Sequence, residues 1–388
     1  MRTIAVVTVG RSDFGIYAPV LRRMQADPDV TLRLIVSGAH LSAEFGMTVD
    51  AIRADGFTVD DQVTMLLSSD APDGIAASIG LGVIGFSSSF SRVRPDMLVV
   101  LGDRFEMFAA AVAALPHGIP VAHIHGGEVT EGAMDEALRH SITKLSHLHF
   151  VSTAEYARRV AQLGEESWRI TVSGAPALDH LATLKTMSAD ALAERCGMPM
   201  SPAPLLVTFH PATLEFGTAE QQAEELLAAL DAVAMPVVFT QPNADTGGRR
   251  ITTMIEAYVA AHSNARLVAT LGTTAYFSLM KVAAAMVGNS SSGLIEAPSF
   301  QLPVVNIGNR QAGRARAANV IDTAGDRAAI LSAVRRAVSP ACRSSLSGLV
   351  NPYGDGHAAD AIVTRLTSVP LDRPLVMKRF IDSKEISA

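Results

Sequence analysis

The sequence predicts an α/β protein of two Rossmann-like domains facing across a cleft, and three observations carry that expectation. Short β-rich runs alternate with amphipathic stretches through most of the chain, the signature of βαβ units. These runs fall into two series, separated by Pro202-Ala203-Pro204. Several of them stop abruptly at glycines, acids and imidazoles, as buried parallel strands do when their carboxyl edge holds a site. At 388 residues the chain also exceeds the size at which a single hydrophobic core stops growing.

The first series has strand candidates at Ile4 to Val9, Leu32 to Val36, Met97 to Leu101, Pro120 to His125, His147 to Val151 and Ile170 to Val172. Amphipathic stretches at Tyr17 to Gln25, Met107 to Ala114, Asp135 to Leu145 and Ala154 to Leu163 lie among them and read as helices. Turn punctuation at Gly174-Ala175-Pro176 marks a hinge. The second series runs Leu205 to Phe209, Pro236 to Thr240, Ala265 to Ala269, Ala285 to Val287, Pro303 to Ile307 and Val320 to Ile321, with helices such as Ala219 to Ala232 between. Ligands bind beyond the carboxyl ends of strands in such sheets, so motifs from both halves are expected to converge.

Composition narrows the function classes. Hydrophobic residues are 48% and charged residues 18% of the chain, which excludes extensive disorder. A net charge of -6 with no basic stripe disfavours nucleic acid and anionic membrane as partners. No unbroken run of eighteen apolar residues occurs, and Ile4 to Val9 lacks the cleavage site of a leader. With Cys196 and Cys342 far apart, a reducing cytoplasm is the expected compartment.

The strand ends carry the chemistry. Gly10-Arg11-Ser12-Asp13 follows the first strand and reads as a helix start capped by Ser12 or Asp13, with Arg11 beside it for a diphosphate. Ser37-Gly38-Ala39-His40 places an imidazole at the next strand end, within reach of phosphate or sugar. Gly102-Asp103-Arg104 puts a carboxylate suited to acid–base work at a strand tip, with Arg104 free to form an ion pair beside it.

In His123-Ile124-His125, alternation would put both imidazoles on one face, the arrangement of two metal ligands. The third ligand would come from His140, His147, His149, Glu128 or Asp135, yet no H-E-x-x-H or cysteine cluster accompanies them, and no metal or cofactor is expected. Glu128, Glu131, Asp135 and Glu136 cluster at a helix start, beside Gly126-Gly127 where a backbone can approach a ligand.

In the second half, His210 and Gln241-Pro242-Asn243 end strands. Gly288-Asn289-Ser290-Ser291-Ser292-Gly293 leads to Glu296, a loop suited to a diphosphate with a carboxylate placed for a ribose. Arg310 and Arg314 follow a further strand. The G-x-G-x-x-G match at Gly80 to Gly85 lacks a preceding strand, so its glycines read as helix packing rather than a dinucleotide loop.

In this order the motifs resemble the UDP-N-acetylglucosamine 2-epimerase family, specifically its hydrolysing branch serving sialic and legionaminic acid synthesis. The pieces are Arg11 to Gly15, Ser37 to Leu41, Gly102 to Arg104, His123 to Glu128, Asp135-Glu136 with Arg139-His140, His210-Pro211, Gly288 to Glu296, Arg310 to Arg314 and Asn351 to Gly356. The resemblance implies the GT-B-type fold, with domains at 1–175 and 176–355 and a C-terminal helix within 356–388 that rejoins the first domain. It implies a UDP-sugar substrate, a homodimer or homotetramer, and elimination to a glycal followed by water addition that releases UDP and the free 2-epimer. Non-hydrolysing 2-epimerisation and GT-B glycosyl transfer are the alternatives.

Carried to matching positions, family roles make Asp103, Asp135 and His210 catalytic. Arg11, Asp13, His40, Arg104, Asn243, Ser290, Ser291, Glu296 and Arg314 would hold the substrate. Many members have a Glu where this chain has His125, so His125 and Glu128 join the catalytic candidates. That replacement points to UDP-2,4-diacetamido-2,4,6-trideoxyglucose as a substrate besides UDP-N-acetylglucosamine.

Overall fold

The computed structural model describes residues 1–69, 71–130, 134–182, 184–210, 219–241, 248–269 and 271–382. The chain forms two compact units, one of Met1–Glu128, Met134–Ala182 and Tyr353–Ala388, the other of Val129–Ala133 and Thr183–Pro352.

The first unit contains β1 (Arg2–Thr8), β2 (Val30–Ser37), β3 (Asp61–Val63), β4 (Met97–Leu101), β5 (Val121–Ile124), β6 (Leu148–Val151) and β7 (Ile170–Val172). They pair in parallel in the order β3-β2-β1-β4-β5-β6-β7. The central strands are buried on both faces, which explains their continuous Val, Leu and Ile runs. β3, with the sequence Asp-Gln-Val, is the strand that hydrophobic pattern does not reveal, because it sits at the sheet edge and needs little apolar surface.

The helix Pro72–Val93 holds the G-x-G-x-x-G match. Among the described residues it is the one helix long and apolar enough to cross a membrane. Its buried stripe, Ser78, Gly82, Phe86, Ser89 and Phe90, recurs at helical spacing and faces protein. A β-carbon on Gly82 would come within 2.6 Å of Met65 and 2.9 Å of Ala109, and one on Gly85 within 2.6 Å of Val63. These glycines let the helix lie close against its neighbours, as the sequence suggests.

The second unit contains β8 (Leu205–Thr208), β9 (Val237–Thr240), β10 (Ala265–Val268), β11 (Ala285–Gly288), β12 (Val304–Ile307) and β13 (Val320–Thr323), all parallel in the order β10-β9-β8-β11-β12-β13. Helices such as Ala219–Val233 and Arg327–Ala337 cover it and close a core around Val207, Phe239, Val287 and Val305.

The chain returns to the first unit through the helix Ala358–Ser368, which packs on the helix Arg11–Gln25. Asp179 caps it by accepting from Ala358 N (2.9 Å) and Ala359 N (2.5 Å). Beyond it, the buried Arg169 guanidinium donates to the carbonyls of His147, Pro374, Leu375 and Met377. Lys378 donates to the carbonyls of Lys144 and Ser146.

Candidate active site

Each sheet has one point where strand order reverses, between β1 and β4 in the first and between β8 and β11 in the second. Crevices beyond the carboxyl ends of strands at such points are where open α/β folds bind ligands. The polar motifs cluster around these two points.

At the end of β1, Gly10 rather than Ser12 or Asp13 is the N-cap of the helix Arg11–Gln25, and no side chain caps it. Asp13 turns back instead, accepting from Thr8 Oγ1 at 2.7 Å and Val9 N at 2.9 Å. His40 is buried, with Nε2 at 3.1 Å from Thr8 Oγ1 and Nδ1 at 2.6 Å from Thr48 Oγ1. Thr8, Asp13 and His40 thus brace the loop that presents the exposed Arg11. Burial lifts the Asp13 carboxyl to about 6 and lowers His40 to about 4.

Arg139 is the hub at the ends of β4 and β5. It is 3% exposed and lies one turn beyond Asp135 on the helix Met134–Leu145. Its guanidinium pairs with Asp103, donates to the His125 carbonyl at 3.0 Å and stands 3.9 Å from Glu128 Oε2. Because Asp103 is engaged by Arg139, Arg104 pairs with the buried Glu106 at 3.2 Å, rather than with its neighbour. Burial, and then the charge of Asp103, raise the Asp135 carboxyl.

The two imidazoles of His123-Ile124-His125 meet different partners. His123 Nε2 lies 2.7 Å from the Gly102 carbonyl and Nδ1 3.2 Å from Thr143 Oγ1, so both nitrogens are used within the protein. Burial pushes its pKa down to about 3 and keeps it neutral. His125 lies past the end of β5 with φ at +65°, so the strand alternation that would align the two rings stops before it. Its Nδ1 is 2.5 Å from Glu128 Oε1, which also accepts from Ser152 Oγ at 2.8 Å. Among the described residues no group of His, Cys, Asp or Glu has the arrangement of a metal site.

In the second unit, Gly288 has φ at +136°, and a β-carbon there would collide with the Thr208 carbonyl. That close approach brings Asn289 against His210: Asn289 Oδ1 accepts from His210 N at 2.7 Å, and Nδ2 donates to His210 O at 2.8 Å. The Asn289 carbonyl accepts from Arg310 at 3.2 Å and Gln311 at 2.8 Å. Burial, then the charge of Arg310, lower His210 to about 4.

Ser290 Oγ accepts from Ser292 N, and Ser291 precedes the short helix Ser292–Ile295. Glu296 follows it. Burial, with the charge of Glu296 adding to it, pushes the nearby Tyr276 hydroxyl up to about 12. Arg314 lies half-buried on the loop after β12. Asn243, Glu131 and Pro211 lie outside the described residues.

The first unit therefore brings together Asp103, His125 and Glu128 around Arg139, with Asp135 on the same helix as Arg139. In the second, His210 shares Asn289 with the loop that carries Ser290 and Ser291. Sequence reasoning did not single out Thr8, Arg139, Ser152 or Asn289 as site residues. A signal existed for Arg139 in its spacing from Asp135, and for Asn289 within the glycine–serine loop. Ser152 carried none, since a serine after a strand reads as a turn.

Acid–base groups at one switch point, and hydroxyls, backbone N–H groups and arginines at the other, define an enzyme of the GT-B-type α/β class. Comparison with known proteins narrows this. The model of the UDP-N-acetylglucosamine 2-epimerase family matches residues 22–367, and the chain belongs to that family. It is 37% identical over 97% of its length, and 99% of the relative's, to the UDP-N,N'-diacetylbacillosamine 2-epimerase (hydrolyzing) of Legionella pneumophila. It is 39% identical over 83% of its length, and 84% of the relative's, to the GDP/UDP-N,N'-diacetylbacillosamine 2-epimerase (hydrolyzing) of Campylobacter jejuni. Its fold matches a crystal structure of UDP-GlcNAc 2-epimerase from Neisseria meningitidis bound to UDP-GlcNAc, with a TM-score of 0.81 and 19% identity over 94% of this chain and 99% of that one.

Proposed function

We propose that this chain is a hydrolysing 2-epimerase whose preferred substrate is UDP-2,4-diacetamido-2,4,6-trideoxyglucose (UDP-N,N'-diacetylbacillosamine), converted to UDP and the free 2-epimer of the sugar. The observation that carries this reading is the pair of relatives with hydrolysing names, matched over most of their length. The acid–base set around Arg139 supports it chemically.

In the reaction a base takes the C2 proton, that electron pair forms the C1–C2 double bond, and the C1–O pair leaves with UDP. Water then adds its oxygen to C1 while C2 receives a proton on the opposite face. One group cannot serve both faces, so a site for this chemistry needs at least two proton carriers. Asp103, Asp135, His125 and Glu128 supply the candidates. Asp135, whose carboxyl is raised by burial and by Asp103, is suited to deliver a proton. Departure of UDP calls for donors that stabilise diphosphate charge, and we assign that role to Ser290, Ser291, His210 and Arg314 of the second unit, with Glu296 for the ribose; Arg11 and Arg104 are the first unit's candidates for substrate contact. In this reading Asp13 and His40 act by holding the loop that presents Arg11.

Incubation of each UDP-sugar, and of the GDP counterpart, in deuterated water tests the proposal. Free UDP and a C2-deuterated, mannose-configured sugar are expected, fastest from the diacetamido substrate. An intact UDP-linked 2-epimer as the product would replace hydrolysis by the non-hydrolysing reaction, and no nucleotide release from any substrate would refute the assignment.

A further inference from the structure

Of the proton carriers around Arg139, His125 has the most unusual setting. It carries a β-carbon at a φ of +65°, a left-handed conformation that glycine adopts without strain and that is uncommon for other residues, Asn, Asp and His being those that take it most often. The backbone is held on both sides: its N–H donates to the Phe150 carbonyl at 3.0 Å, and its own carbonyl accepts from Arg139 at 3.0 Å. The fold therefore holds an imidazole where a glycine would be more comfortable.

The ring is held as firmly as the backbone. Nδ1 lies 2.5 Å from Glu128 Oε1, and Ser152 Oγ donates to that oxygen at 2.8 Å while standing 3.4 Å from Nδ1. Glu128 and Ser152 follow the carboxyl ends of adjacent strands, β5 and β6, so the triangle is built on the sheet. His125 is 8% exposed, and its Nε2 is buried with no hydrogen-bond partner among the described residues. An ionised carboxylate only accepts, so in the neutral ring the hydrogen sits on Nδ1 and the lone pair on Nε2. A buried lone pair without a partner is costly, and such atoms call for a function.

We infer that His125 Nε2 is the atom that takes the C2 proton, and that Glu128 and Ser152 are positioning residues acting through it. This rests on the hydrolysing 2-epimerase reading. Nε2 accepts the proton as the C2–H electron pair becomes the C1–C2 π bond and the C1–O pair departs with UDP. Glu128 stabilises the imidazolium that forms, and Ser152 keeps the Glu128 oxygen aimed at Nδ1. In the second step the carboxyl of Asp135 protonates C2 from the other face and water supplies oxygen to C1. The remaining proton of that water restores Asp135, and the proton on His125 passes to solvent.

The test uses the full chain with 15N-labelled histidine, together with His125→Asn, Glu128→Gln and Ser152→Ala. Asn is chosen at 125 because it tolerates left-handed φ, and UDP binding by calorimetry confirms that each variant is folded. In the unmodified enzyme above pH 8, the His125 spectrum is expected to show a protonated Nδ1 and an unprotonated Nε2. His125→Asn should lower kcat about a hundredfold or more, with KM and UDP affinity within about threefold. Glu128→Gln should lower kcat and move the acidic limb of the kcat/KM profile to lower pH, because the imidazolium loses its carboxylate. Ser152→Ala should lower kcat about tenfold and broaden the Nδ1–H signal without changing UDP affinity. A hydrogen on Nε2 in the resting enzyme, or a His125→Asn variant with kcat within about threefold and the acidic limb in place, would overturn the inference. The nitrogen spectrum needs no turnover, so it decides the imidazole's state separately from whether the sugar is hydrolysed.

Discussion

Replacing Arg139 by Met removes one charge from the hub and keeps most of its volume. The Arg139 side chain is 4% exposed. The side chains it compensates are 23% exposed at Asp103 and 6% exposed at Glu128. Removing one partner of a buried ion pair costs about 3–5 kcal/mol, because the remaining charge stays buried without compensation. Partial solvation of Asp103 places this case at the lower end, about 3 kcal/mol. A domain of this size shifts its midpoint by about 2–4 °C per kcal/mol, so Arg139→Met should unfold about 6–12 °C earlier in a thermal scan. Asp103→Asn and the double variant complete a cycle with an expected coupling of about 1–3 kcal/mol. A midpoint within about 1 °C of the parent, or strict additivity of the two changes, would show that the hub is not an ion-pair centre.

Three further outcomes follow from other parts of the molecule. Burial alone would raise the Glu165 carboxyl, but His149, Lys144 and Lys378 outweigh it and hold it down at about 2, against an ordinary 4.5. Its stabilisation is therefore complete above about pH 4.5 and lost as pH falls toward about 2; denaturant titrations of Glu165→Gln should show lower stability at neutral pH and a flatter acid dependence in that window. Gly80 is exposed on a helix, and a β-carbon there meets nothing within 4 Å, so Gly80→Ala should add up to about 1 kcal/mol of stability and leave turnover unchanged; loss of substrate binding would revive a phosphate-loop role for that glycine motif. Gly288→Ala, which sets a methyl against the Thr208 carbonyl, should expose the second unit to limited proteolysis and abolish UDP binding, whereas protease resistance equal to the parent would contradict the close approach.

The alternation of strands and helices was legible because parallel strands buried on both faces must be continuously apolar. Met97–Leu101 and Ile170–Val172 fall where the pattern places them, and most other strand ends move by one or two residues. Asp61–Val63 was not legible, since an edge strand carries polar residues. The site was legible as a set of strand ends, but not as a set of contacts. Nothing local says that Asp103 pairs with Arg139 rather than Arg104, since that choice depends on a helix arriving from 36 residues away. Nor does spacing reveal that His125 leaves the strand before its ring can align with His123, because the left-handed turn is held by Phe150 and Arg139. Ser152 acquires its role only when β6 lies beside β5.

The return of the chain to its first unit bears on how the protein emerges from the ribosome. Tyr353–Ala388 belongs to the unit begun at Met1, while nearly all of the second unit lies in Thr183–Pro352. Domains tend to complete themselves as they are synthesised, yet here the later unit has almost all of its residues before the earlier one does. Until Ala358–Ser368 arrives, the face of Arg11–Gln25 that it covers stays open, and Arg169 lacks the carbonyls of Pro374, Leu375 and Met377. Loss of the segment from Tyr353 onward would thus open the unit that was begun first and leave the second unit's own residues in place.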